Sequence, residues 1–214
     1  MSRRSFPQLV LAAVLALAPA GSAPAMPEAP AAGPPQVLVA VLVPNNALVV
    51  TDIKFRVFYN KSEVKHIPLQ DYDLDANLTD ELLVALSEDK RAAWRAATPE
   101  EEEAFAPYFQ PKVKTEQVRL PESIGGDRLL LVQAGCDGFL HSTQKWVRVS
   151  ATARLVDRAS GRTLWKKSVG KRSGLPAPLE ELQLENQKAL KELLNKLMEQ
   201  MVAELKAEAA KKKV

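Results

Sequence analysis

The chain has 214 residues, with 29 Lys and Arg against 26 Asp and Glu, a net charge of +3, and 46% apolar residues. This balance lacks the concentrated basic footprint of a nucleic-acid-binding protein. The single cysteine, Cys136, rules out an internal disulfide, so stability must come from one sizeable buried core.

The N-terminus has the order of an export signal: Arg3 and Arg4, the apolar run Leu9 to Ala18, then small residues up to Ala25. Such a run is far shorter than the roughly 20 residues that cross a bilayer. Ala23-Pro24-Ala25 offers a cleavage site, with Ala18-Pro19-Ala20 as a second candidate. Ser2-Arg3-Arg4-Ser5-Phe6 also fits the core of a twin-arginine signal, although Pro7 and Gln8 depart from its continuation. Residues 1–25 are therefore expected to be a signal peptide directing the chain to the periplasm. No cysteine stands near either cleavage site, so no lipid anchor is expected. Residues 1–25 hold two arginines and no acid, so their removal would take the net charge from +3 to +1. Residues 26–35 are rich in proline and alanine and should form a tether.

A single domain is expected over residues 36–208. "QVLVAVLV", Gln36 to Val43, is a continuous aliphatic run stopped by Pro44, the pattern of a central strand buried on both faces. "KFRVFYN" from Lys54 and "EVKHIPL" ending at Leu69 predict a hairpin turning at Lys61 and Ser62, with Pro68 marking a sheet edge or bulge. The period then changes. "LTDELLVALSEDKRAAWRAA" predicts a helix capped by Thr79, with Leu82, Leu83, Leu86, Trp94 and Ala97 on one side. Thr98 followed by Pro99 predicts a second, short helix whose four glutamates, 100 to 103, form a solvated first turn.

Strand character returns at Arg128. "RLLLVQAGCDGFL" is apolar, and Gly135 and Gly138 predict a bulge or a close backbone approach. In "WVRVSATARLVD" Val147, Val149, Ala151, Ala153 and Leu155 alternate with polar residues, the mark of a half-buried strand. Arg158 to Gly161 supplies a turn, with Gly161 free to take positive φ, and "RTLWKKSV" returns antiparallel. Last, Leu190, Leu193, Leu194, Leu197, Met198, Met201, Val202 and Leu205 recur at helical spacing. This long amphipathic helix should dock on the protein's own sheet, and residues 209–214 should fray as a basic tail. The fold class expected is α+β: a two-layer domain in which a mixed, largely antiparallel sheet of about five or six strands is packed by helices.

The order of these elements, with Gly135-Cys136-Asp137 in one strand and the turn motif Leu155, Val156, Asp157, Ser160, Gly161, Leu164 and Trp165 in the next hairpin, resembles bacterial envelope proteins of the TolB N-terminal type. That group includes the curli-secretion lipoprotein and the lipoprotein activator of penicillin-binding proteins. The resemblance spans residues 36 to 208. It implies a non-enzymatic binding or assembly accessory of the cell envelope, with an envelope protein as partner. The chain departs from the pattern in lacking an anchor cysteine and in carrying the Lys54 to Leu69 hairpin.

Motifs for catalysis or metal binding are weak. His66 and His141 stand far apart with no ligand-spaced Cys or Glu, which argues against zinc. Asp71, Asp73 and Asp75 alternate as in an ion-binding loop, but Ala76 and Leu82 occupy the positions where an EF-hand needs Gly and Glu. No G-x-S-x-G elbow exists, and Cys136 reads as a small buried hydrophobe. No cofactor is expected. The functional candidates are basic. Between Lys145 and Arg172 nine Lys and Arg face one acid, Asp157. Arg148, Arg154, Arg158, Arg162, Lys166 and Lys167 are the candidate partner-binding residues, Arg148 and Arg154 sharing the outward parity of their strand. The alternative role for this basic hairpin is attachment to an anionic membrane, glycan or wall polymer.

Overall fold

The computed structural model describes residues 33–56, 59–109 and 125–211. The expected signal peptide, most of the expected proline-rich tether and residues 212–214 lie outside them. The architecture is α+β, with seven strands in one mixed sheet. In chain order these are β1 (Gln36–Leu42), β2 (Ala47–Arg56), β3 (Tyr59–Pro68), β4 (Ala93–Ala96), β5 (Arg128–Leu140), β6 (Lys145–Asp157) and β7 (Thr163–Gly174). The helices are α1 (Leu74–Ser87), α2 (Pro99–Phe105), which runs on as a 3₁₀ turn through Phe109, α3 (Leu179–Leu182) and α4 (Leu184–Lys211).

The register explains how the strands fit. β5 pairs with β6 antiparallel along its whole length, from Arg128 opposite Asp157 to Leu140 opposite Lys145. Its other edge is shared. β1 lies parallel to residues 128–133, and β2 lies parallel to residues 136–140. β1 and β2 are thus successive occupants of one edge, separated by the break at Pro44. β4 pairs parallel with β1, and β3 pairs antiparallel with β2.

The break is closed by the start of α1. The Asn46 side chain donates to Tyr72 O at 2.7 Å and accepts from Leu74 N at 3.1 Å. Asp75 accepts from Val43 N at 3.3 Å. Asp73, the N-cap, accepts from Asp75 N and Ala76 N. Val43 N at the strand break, and Tyr72 O, Leu74 N, Asp75 N and Ala76 N at the start of α1, are satisfied here by three short side chains. Helix α1 therefore starts before Thr79, because Asp73 is the cap in use. It also ends at Ser87, and Ala93–Ala96 is a strand, not the continuation of a helix. Parallel pairing with β1, extended by Ala97 N donating to Val39 O at 2.8 Å, overrides the helical spacing of Trp94 and Ala97.

Three further expectations change. The hairpin of β2 and β3 is longer and turns earlier, since Lys61 pairs with Lys54 and Arg56 with Tyr59. β5 carries no bulge against β6, and the register shift in this region falls between Leu155 and Val156, against β7. Gly138 nevertheless marks a close approach, because a Cβ there would stand 3.2 Å from Val50 Cγ2. Finally, α4 continues through Ala209 to Lys211, where Lys211 bonds Glu208 at 2.7 Å.

Other expectations hold. β1 is buried on both faces, with Val37, Val39 and Val41 in one cluster and Leu38 and Ala40 in another. Pro68 ends the edge strand β3, and Gly161 takes φ 66° in the turn. Thr98 and Glu101 form a reciprocal capping box. The larger core packs α1, α3 and α4 against one sheet face, with Leu190, Leu194 and Met201 fully buried. Gln187, the buried polar residue among those described, links α4 to the chain before α1, donating to Pro68 O and accepting from Gln70 N. A smaller cluster on the other face packs Phe105 and Phe109 on Leu38, Ala40, Leu129, Leu131 and Val156.

Glu101 also accepts two hydrogen bonds from Arg95, each 2.8 Å. These bonds hold its carboxyl down at about 2. A carboxyl depressed when folded stabilises the fold above its ordinary value of 4.5 and loses that contribution as pH falls toward about 2. Glu101→Gln is expected to cost about 1–2 kcal/mol at pH 7 and to flatten thermal stability between pH 5 and 2. Thermal melts of both proteins across that range check it. Asn46→Ala should cost about 1–2 kcal/mol, since it strips Leu74 N–H and Tyr72 C=O of their partner, measurable by urea unfolding.

Candidate functional site

The two sheet faces are covered unequally. One is packed by α1, α3 and α4; on the other, among the described residues, α2 and its 3₁₀ turn are the only helical cover, over β1 and the adjoining ends of β5 and β6. Strand parity, read through the registers, places Val49, Thr51 and Ile53 of β2, Asp137 and Phe139 of β5, Trp146, Arg148, Ser150 and Thr152 of β6, and Ser168 and Gly170 of β7 on the helix-free part.

Its centre is a two-by-two cluster. Phe139 stands opposite Trp146 and Asp137 opposite Arg148. The rings of Phe139 and Trp146 are stacked with centroids 5.5 Å apart, and His141 stacks on Phe139 at 6.1 Å. The Arg148 guanidinium lies 5.6 Å from the Trp146 ring centroid while Nε donates to Asp137 at 3.0 Å. Stacking and a cation–π contact together hold half-buried aromatic side chains on a surface that no helix covers among the described residues. Val64, opposite Thr51 on β3, adds an apolar group that is 57% exposed. Beyond Trp146 the surface is low and polar, with the hydroxyls of Thr152 and Ser168 2.9 Å apart.

The six basic candidates are distributed over different surroundings. Arg148 belongs to the aromatic cluster. Arg154 shares its parity but is half-buried, donates to Tyr108 O at 2.5 Å, and has its pKa lowered by desolvation. Arg158 lies at the hairpin turn and donates to Gly126 O at 3.2 Å. Arg162 is exposed at the same turn, and Lys166 is exposed on the helix-free face. Lys167 faces the other way and pairs with Glu208 of α4 at 3.4 Å, as Lys171 does with Glu204 at 2.5 Å. The aromatic cluster lies outside the six basic candidates except for Arg148. Its signal is present in the sequence, where Phe139 and Trp146 flank the short β5–β6 turn symmetrically.

Other chemistry-bearing groups serve the fold. Asp73 and Asp75 cap backbone amides, and no group of three or more His, Cys, Asp or Glu able to hold a metal exists among the described residues. Cys136 is buried, donates to Ala47 O at 3.3 Å, and its pKa is pushed up to about 12 by desolvation and by Asp137. Trp94 lines an open cleft of about 280 Å³ with Arg91 and Lys206, and its Nε1 is buried without an acceptor among the described residues. Among the described residues no helix is long and apolar enough to cross a membrane.

The fold defines a two-layer α+β domain with a helix-backed, seven-stranded mixed sheet. Arrangements similar to it occur in a protein of the DUF330 family from Xanthomonas campestris, 13% identical, covering 83% of this chain and 86% of that one at a TM-score of 0.47. A hypothetical protein from Chlamydia trachomatis is 11% identical, with 80% and 96% covered and a TM-score of 0.47. Lipoprotein GNA1162 from Neisseria meningitidis is 20% identical, with 76% and 97% covered and a TM-score of 0.36. Scores below 0.5 at such identity say nothing about chemistry or partners. The chain matches no family model and no curated protein sequence.

With its thiol protonated and buried, Cys136 should resist alkylation in the native protein at pH 8 and react at the rate of unfolding. Mass-spectrometric labelling in buffer and in urea measures this; rapid native labelling would contradict the placement.

Proposed function

We propose that this chain is a non-enzymatic accessory protein of the bacterial cell envelope, exported to the periplasm by its N-terminal signal and acting by contact with another envelope protein. One observation carries the reading: a part of the sheet face that no helix covers among the described residues, yet that holds an ordered aromatic and ion-paired cluster, Phe139, Trp146, Arg148 and Asp137. Aromatic and arginine side chains that are held in place before binding lose little freedom on association, which is why they anchor protein interfaces.

A second reading is attachment to anionic lipid or wall polymer through the β6–β7 hairpin. It draws on Arg162, Lys166 and Arg172, which are exposed and make no ion pair among the described residues. Contacts of that kind weaken steeply as salt screens them, whereas an aromatic anchor does not.

The test is site-specific photo-cross-linking in the intact envelope of a producing bacterium. A benzophenone amino acid at Thr51 or Ser150 should yield one adduct of defined mass, lost when Trp146→Ala and Phe139→Ala are combined. The same group at Lys196, on the polar side of α4, should yield none. No adduct from Thr51 or Ser150, with the protein recovered in the membrane or wall fraction and released by salt, overturns protein contact in favour of surface attachment.

A further inference from the structure

Strand β7 borders the helix-free face and forms a free edge of the sheet. Among the described residues it pairs with β6 alone, and it contains no proline from Thr163 to Gly174. No described residue pairs with the backbone groups on its outer side, and such an edge can accept another strand. The side chains it presents on the helix-free face are, in order, Leu164, Lys166, Ser168, Gly170 and Arg172, all exposed, with Leu164 51% accessible.

The charges on this row are unusual in their placement. Register sets Arg148 directly against Arg172 and Arg154 directly against Lys166. Like charges facing each other across a strand pair are destabilising. On the inner side each charge is answered, Arg148 by Asp137 and Arg154 by Tyr108 O. No carboxylate among the described residues answers Lys166 or Arg172 on the outer side. On the opposite face the equivalent cations, Lys167 and Lys171, are both paired to α4. A second copy of β7 is a poor occupant: the antiparallel alignment that opposes Lys166 to Arg172 sets cation against cation twice.

We infer that β7 accepts an extended acidic segment of a partner protein as an additional strand. This deepens the protein-contact reading and rests on it. Backbone hydrogen bonds supply the attachment, as in other strand additions, and two carboxylates six residues apart supply the selectivity. The spacing follows from the row: one acid sits opposite Arg172 and the other opposite Lys166, about 20 Å away along a strand. An antiparallel segment would then read acid, five residues, acid, one residue, apolar, the last meeting Leu164. Ser168 and Gly170 leave the middle of the row low, so the side chains between the acids are unrestricted in size. An odd spacing turns one acid to the other face, where both lysines are already neutralised.

The experiment is fluorescence anisotropy on the exported full-domain protein with two labelled nine-residue peptides of the same β-prone composition. One has Glu at positions 1 and 7 with Leu at 9; the other moves the second Glu to position 6. The first should bind about tenfold more tightly than the second. Lys166→Glu combined with Arg172→Glu should remove that preference, and a peptide with Lys at positions 1 and 7 should then bind the double variant. Amide hydrogen exchange should slow in β7 on binding. Equal binding of both Glu peptides, or none, overturns the inference; so does binding to phosphatidylglycerol vesicles that depends on Lys166 and Arg172 without any peptide preference. Persisting adducts from Thr51 and Ser150 alongside failed peptides would sink the strand addition alone, whereas loss of both would sink protein contact itself.

Discussion

The structure depends on how the two edges of β5 are occupied. A strand has only two edges, and β6 takes all of one. The other is divided between β1 and β2, two segments of one continuous run of chain that must step around Pro44 without leaving buried backbone groups unpaired. Asn46 and Asp75 tie the break to the first turn of α1, which Asp73 caps. The position of α1 follows, and with it the faces on which the sheet is buried. Tyr72, next to this junction, donates its hydroxyl to Asn195 at 2.5 Å, so the same joint also orients α4.

Unequal coverage of the two faces is the functional consequence. Leu78, Leu82 and Leu86 of α1 and the apolar stripe of α4 pack one side over β1, β4, β6 and β7. On the other, α2 is only seven residues long and covers the end nearest β1. The rest of that face is not blank. It carries aromatic rings stacked across the β5–β6 pair, an arginine over one of them, and beyond these a low polar strip leading to the outer strand. A surface that merely needed solubility would be met by scattered charged side chains; here stacked rings and an ion pair hold a defined shape.

Electrostatics divides along the same plane. Alternation along β7 sends Lys167 and Lys171 toward the acids of α4, while Lys166 and Arg172 emerge on the open face. A run of basic residues that is dense in the sequence is therefore two populations, one structural and one available for contact. The division arises from the two-residue period of a strand and from where the helix happens to lie.

Local physics made much of this legible in advance. Caps, turns and periodicity are written within a few residues, so Thr98 with Pro99 and Glu101, Gly161 in its turn, the twofold alternation of β6 and the stripe of α4 were all readable from the chain, as was the double-sided burial of β1. The α+β class followed from them. What the sequence could not disclose were features set by pairing over long distances. Four residues, Ala93 to Ala96, became a strand because β1 lay beside them, and Asp73 replaced Thr79 as the cap because Asn46 fixed the turn before it. The same is true of the face that stays open and of the partners of each lysine and arginine. Those depend on which edges and surfaces are already occupied when each segment arrives, a property of the folded sheet and not of any single stretch of it.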